Sequence, residues 1–201
     1  MVESAPGNDI FACKEAEALV NPVNCVGTMG KGLALKFKKA FPDNFRTYAD
    51  ACEKGEVRLG QMLVHDRHGN SGLFSIPEGP RWIVNFPTKR HWRDKSYIEH
   101  VEAGLADLVE VVRSRGIRAI AIPALGCGLG GLDWKEVRPC IERAFDILPE
   151  ARVYLCGPEN ASRQHVDNDQ RVPPKSGIER PRQGNDFPAP RNEGAGISGF
   201  D

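Results

Sequence analysis

Two segments of the sequence, VGTMGKG at Val26–Gly32 and GCGLGG at Gly126–Gly131, concentrate glycine in a loop just before a helical stretch. Glycine tolerates positive φ and lets backbone N–H groups approach a ligand closely. A helix N-terminus adds partial positive charge, which suits phosphate. Neither loop is GxxxxGK[ST] or a strand-anchored GxGxxG, so neither carries an ordinary nucleotide signature. Two such loops, each after a buried strand, fit a pyrophosphate cradled from two sides; each alone could be a tight turn. A third segment, KRHWR at Lys89–Arg93, interleaves cations with an aromatic ring. Arg90 and Arg93 could contact phosphates while Trp92 or His91 stacks on a base. The same residues also read as an exposed basic turn with Trp92 packed inward. Asn21 and Asn24 flank the end of a strand, where a buried amide needs partners. They serve as turn caps or as donors to a sugar hydroxyl. Cys127 lies inside the second loop, but no histidine near it in sequence could activate it.

These residues need elements to hold them. Ala18–Val23, Gln61–His65, Trp82–Phe86, Ile117–Pro123 and Arg152–Cys156 read as strands, with a turn at Asp66–Gly72. Leu33–Ala40, Asp43–Glu53, Ser96–Arg115 and Trp134–Leu148 read as helices. Ile98, Val101, Leu105, Leu108, Val109 and Val112 share one face of the third, which Gly116 ends as its C′ residue. Lys36, Lys38 and Lys39 form the solvated face of the first helix. Strands alternating with helices predict an α/β fold, a largely parallel sheet covered on both faces. Ligands of such sheets bind beyond the carboxyl ends of the strands, where both glycine loops fall.

The chain has 201 residues with 27 basic and 27 acidic side chains, so recognition by charge must be local. No basic region precedes an apolar run in MVESAPGNDIF, and no apolar stretch reaches the roughly 18 residues of a membrane span. The six cysteines form no CxxC pair and predict reduced thiols in a cytoplasmic protein without a metal site. A compositional break near Gly157 divides an ordered domain, 1–157, from a polar tail, 158–201, expected to be disordered.

NPVNCVGTMGKGLALKFKKAFP, NFPTKRHWRDKS and PALGCGLGGLDW together resemble a macrodomain over roughly Gly7 to Cys156, a three-layer α/β/α sandwich with a mixed, largely parallel sheet. More narrowly they resemble the DarG antitoxins, the DNA ADP-ribosyl glycohydrolases. They are more distantly similar to the branch that acts on terminal ADP-ribose of proteins. The resemblance implies ADP-ribose as ligand, with no cofactor. It also implies ADP-ribosylated DNA as substrate and a cognate ADP-ribosyltransferase toxin as partner. Asp9 matches the acid that bonds the adenine amino group, and Asn24 the asparagine of the distal ribose. Gly30, Lys31 and Gly32 match the first substrate loop. Gly126, Cys127, Gly128, Leu129 and Gly130 match the diphosphate loop. Lys89 matches the lysine regarded as catalytic, with Asn24 beside it, and Tyr154 is either an adenine wall or core. The protein-directed branch has an aspartate where this chain has Gly130, while Asp133 caps the next helix. Relatives also carry a strand ahead of the GD element, where only MVESAP stands here, so that edge strand is expected to be missing or the start to lie late.

Cleaving a bond at the ribose anomeric carbon develops oxocarbenium character and a negative leaving group. Lys89 could stabilise that group as a cation, or attack the carbon as a neutral amine if burial and Arg90 lower its pKa. Hydrolysis of protein-linked ADP-ribose or of phosphate and acetyl esters, and a reader domain without turnover, are the competing functions.

Overall fold

β-Branched and aliphatic side chains alternate along the strands and divide between two helical layers. In the computed structural model the strands are β1 (Val2–Ser4), β2 (Ala18–Asn24), β3 (Leu63–Asp66), β4 (Trp82–Lys89), β5 (Ala119–Pro123) and β6 (Arg152–Cys156). The helices are α1 (Gly32–Ala40), α2 (Pro42–Glu53), α3 (Ile98–Arg115) and α4 (Trp134–Phe145). The structure describes residues 1–5, 9–69 and 78–158. The chain divides into units Met1–Gln164 and His165–Asp201, and every described residue belongs to the first. Gly7, the end of the Asp66–Gly72 turn and the tail beyond Pro158 lie outside the described residues.

The sheet order is β1-β6-β5-β2-β4-β3, and only β3 runs antiparallel to its neighbour. Ala18, Val20, Val84, Phe86, Ile120 and Ile122 face α3 and α4, burying Val101, Leu105, Leu108, Val137 and Ile141. On the opposite face Leu19, Ile83 and Ala121 pack with Phe37 of α1, and Val23 with Tyr48 and Ala51 of α2. Each layer shields an apolar sheet face, which supplies most of the stabilisation. Gly104 of α3 lies against the Phe86 ring so closely that a Cβ there would fall 2.3 Å from Cζ.

Two expectations are corrected. An edge strand is present at the amino end: Val2 and Ser4 pair with Val153 and Leu155. Three residues are too short a run for alternation to reveal. Strand β4 also continues past Phe86 to Lys89. Pro87 reads as a stop because it cannot donate to a ladder. The β3 pairing stops opposite Asn85, however, and beyond that point no strand among the described residues lies on that side of β4, so a missing N–H is tolerated.

Candidate functional site

Parallel β2, β4 and β5 end together, so the segments after Asn24, Lys89 and Pro123 converge at one edge. Asn24 is opposite Lys89 in the register, and Cys25 N–H donates to Arg90 O at 2.9 Å. Lys89 is 9 % exposed, and its Nζ donates to Leu129 O and Asp94 O, each at 3.0 Å. One carbonyl belongs to the second glycine loop and the other to the turn after β4. Asp94 closes that turn by accepting from His91 N–H at 2.9 Å. Burial holds the Lys89 ammonium below the ordinary lysine pKa, and Asp94 opposes that depression. Arg90, expected to share in it, is exposed, and Asp94 is the charge that acts.

The first loop is organised by Asn24. Its Oδ1 accepts from Val26 N–H at 2.9 Å, Thr28 N–H at 3.3 Å and the Tyr48 hydroxyl at 3.1 Å. Its Nδ2 donates to Thr28 O at 2.6 Å. The amide therefore acts as a turn cap that shapes residues 24–28. Gly27 and Gly32 take positive φ, 75° and 57°, whereas Gly30 does not. Gly30, Lys31 and Gly32 are exposed at the start of α1, and their N–H groups stand unpaired among the described residues. Lys36 and Lys39 are exposed, and Lys38 lies 3.8 Å over the Phe45 ring.

Sequence reasoning missed the role of α2. Its buried face carries Asn44 and Tyr48, one turn apart. The Tyr48 hydroxyl also donates to Asn24 O at 2.8 Å. Asn44 exchanges two bonds with Asn85, which accepts from Asn21 Nδ2 at 2.9 Å. Asn21 thus belongs to a buried amide network joining α2 to the sheet. Tyr48→Phe removes the hydroxyl that braces Asn24 and keeps the ring. The expected loss is about 1–2 kcal/mol, a melting temperature lower by roughly 3–6 °C, and several-fold weaker ligand binding by calorimetry. Melting that falls while affinity holds would show that Tyr48 supports only the fold.

In the second loop Gly126 and Gly131 take φ of 72° and 81°. Gly126 O accepts from Leu132 N–H at 3.1 Å, and Gly130 O from Ser96 N–H at 2.9 Å. A Cβ on Gly130 would sit 2.3 Å from both Gly126 O and Ser96 Oγ. The position where the protein-directed branch has an aspartate is therefore closed to any side chain in this loop conformation. The N–H groups of Gly128, Leu129 and Gly130 stand unpaired among the described residues. Burial pushes the Cys127 thiol up to about 11, helped by Asp133, so it stays protonated near pH 7. Asp133 caps α4 by accepting from Lys135 N–H at 2.9 Å.

Asp9 is exposed and caps the 3-10 turn Ile10–Ala12, accepting from Phe11 N–H at 3.1 Å. The Cys13 thiol, bonded to Asp9 O, lies 3.9 Å from the Cys156 sulfur, so the Asp9 turn adjoins the carboxyl end of β6. Tyr154 is 8 % exposed within the α1-side core, and its hydroxyl donates to Glu15 Oε2 at 2.8 Å. Arg152 also bonds that hydroxyl. Both partners stand at the amino ends of strands, so Tyr154 is core, turned away from the glycine loops. Trp92 is not packed inward: it is 45 % exposed, with the Arg93 guanidinium 4.5 Å over its ring and the His91 ring at 5.2 Å. Among the described residues no group of three His, Cys, Asp or Glu is placed to hold a metal, and no helix is long and apolar enough to cross a membrane.

The Macro domain family matches residues 20–141, a span running from β2 through both glycine loops into α4. The chain belongs to that family. As a macrodomain it is 48% identical over 149 residues to the DNA ADP-ribosyl glycohydrolase of Thermus aquaticus, covering 74% of this chain and 39% of the relative. It superposes on the macrodomain of Mycobacterium tuberculosis DarG with a TM-score of 0.72 at 44% identity, covering 80% of this chain and 99% of that one. A Thermosipho africanus DarTG structure in complex with ADP-ribose gives a TM-score of 0.64 at 37% identity, covering 82% of this chain and 41% of that one. The macrodomain spans about 40% of the length of the curated DNA ADP-ribosyl glycohydrolases it matches.

Proposed function

We propose that this macrodomain binds ADP-ribose along the carboxyl edge of its sheet and hydrolyses the bond joining ADP-ribose to thymidine in single-stranded DNA. The observation that carries the reading is Lys89: a buried ammonium whose position is fixed by a carbonyl of the glycine loop itself. Whatever anion that loop holds, Lys89 sits beside it. In this reading the unpaired N–H groups of Gly30–Gly32 and Gly128–Gly130 face the diphosphate from two sides. Asp9, at the far end of the edge beside β6, takes the adenine amino group. Asn24 acts on the distal ribose through the loop it shapes. The exposed Arg90, His91, Trp92 and Arg93 meet the DNA.

The named activity of the relatives supports this substrate, and so does the closed Gly130 position, which leaves no room for the acid of the protein-directed branch. A fused relative that is also a DNA ADP-ribosyl transferase supports a toxin of that activity as the partner. Six free cysteines suit a reducing compartment, and the reading places the protein in the cytoplasm.

The experiment is incubation with a single-stranded oligonucleotide bearing one ADP-ribosylated thymidine, followed by mass spectrometry. The expected result is the unmodified oligonucleotide and free ADP-ribose. An intact oligonucleotide, with ADP-ribose bound in calorimetry and no turnover of ester or protein-linked substrates, would mark a reader instead.

A further inference from the structure

Six large apolar side chains stand exposed among the described residues, and three of them lie on the segments that meet at Lys89: Val26 at 47 %, Trp92 at 45 % and Leu129 at 70 %. Leu129 supplies the carbonyl that holds Lys89 Nζ. Trp92 lies inside the turn whose Asp94 carbonyl holds the same ammonium. Val26 follows Cys25, which bonds the backbone of Arg90, and its own N–H is fixed by Asn24. Single exposed apolar residues are ordinary, but three gathered on the loops around one buried cation call for an apolar ligand. The loops' own packing does not explain them. Gly27 faces α2, Gly126 and Gly130 face Ser96, and the larger residues between are left outward.

We propose that Val26, Trp92 and Leu129 form a rim that receives the leaving group as an unstacked nucleobase, and that Leu129 determines this specificity. A nucleobase is flat, with apolar faces and a polar edge, and it leaves a stack at a cost of a few kcal/mol that faces of this kind offset. The exposed Arg90 and the Arg93 guanidinium over Trp92 supply cations for the flanking phosphates, which a protein-linked substrate lacks. A paired base cannot enter such a rim, so single-stranded DNA is selected over duplex. This inference deepens the proposed hydrolase reading and rests on it for the placement of the scissile bond.

The test separates the two. Trp82 and Trp134 are buried at 7 % and 8 %, so quenching of tryptophan emission by an unmodified single-stranded oligonucleotide reports Trp92. The oligonucleotide should quench the wild type, its duplex should quench several-fold less, and Leu129→Ser should weaken the quenching titration about tenfold. On the ADP-ribosylated oligonucleotide, Leu129→Ser should lose about tenfold in kcat/KM, mostly through KM. That loss should exceed the loss in affinity for free ADP-ribose at least fivefold. Val26→Ser should act in the same direction by a smaller factor. Equal losses for oligonucleotide and ADP-ribose, or a duplex that quenches as well as the single strand, would overturn the rim. Normal quenching by the unmodified oligonucleotide with no turnover of its ADP-ribosylated form would leave the rim standing and remove the hydrolase reading.

Discussion

Lys89→Ala is expected to reduce turnover of ADP-ribosylated DNA by about 10³-fold or more while calorimetry still detects ADP-ribose binding. Positioned acid–base or charge stabilisation is worth on the order of 10²–10⁴ in rate, whereas in the proposed reading the ligand is held mainly by backbone groups that the substitution leaves in place. The variant also leaves Leu129 O and Asp94 O without their donor. Each unpaired carbonyl costs about 1–3 kcal/mol where water cannot reach it, so a lower melting temperature accompanies the loss. Lys89→Met fills the space and separates the two effects: melting recovers in part, turnover does not.

The pH dependence distinguishes the two roles open to Lys89. Two carbonyl acceptors favour the protonated form and leave one N–H of the ammonium for the departing group. A neutral amine would spend both its hydrogens on the same carbonyls and present its lone pair instead. The ammonium role predicts a rate that holds near pH 7 and falls as pH rises through the lowered pKa, below the ordinary 10.5. A rate that climbs over that range would show attack by the amine. Stability moves the other way. Between the lowered folded value and 10.5 the unfolded chain binds more protons at this residue, so the Lys89 contribution to stability rises with pH across that window. Lys89→Met should remove that rise.

Much of this site is legible in the sequence because its parts are local. The glycine loops, the KRHWR cluster, the Asp133 cap and the Gly116 terminus each declare themselves through residue type at fixed spacing. What spans the sheet does not. Pro87 hides the last residues of β4, because only the end of the β3 pairing at Asn85 shows that a proline is harmless there. Tyr48 is one aromatic on an amphipathic helix until Asn24 is seen beneath its hydroxyl. Asn24 looks like a ligand donor, and the sequence does not show that its Oδ1 and one Nδ2 hydrogen also shape its own loop. Tyr154 has the residue type for an adenine wall and the wrong direction, since its hydroxyl follows Glu15 to the amino ends of the strands. Trp92 could not be placed from composition, because an indole between arginines is equally suited to core and surface.

Gly130 is the residue whose meaning changed most, from an absent acid to a required contact. Its φ is not in the left-handed region, so the backbone alone would accept a side chain. The obstacle is the ring of atoms around it: a Cβ would meet Gly126 O and Ser96 Oγ at 2.3 Å and Ser96 Cβ at 2.9 Å. Two of these are fixed, because Gly126 O is bonded to Leu132 and Ser96 N–H to Gly130 O. Gly130→Asp is therefore expected to force the loop outward at a cost of about 1–3 kcal/mol for overpacking, with a further desolvation cost for the carboxylate. Displacing the loop draws Leu129 O away from Lys89, so ADP-ribose affinity should fall at least tenfold and DNA turnover with it. No glutamate-directed activity should appear, because the acid arrives only where the loop no longer fits. Gly130→Ala isolates the steric part and should show most of the melting loss. Gly128→Asp places the same charge two residues away, where a Cβ meets nothing within 4 Å, and should melt within about 0.5 kcal/mol of wild type. If Gly130→Asp melts like the wild type and releases ADP-ribose from protein glutamate, the close approach of Ser96 and Gly126 is not what keeps glycine at that position.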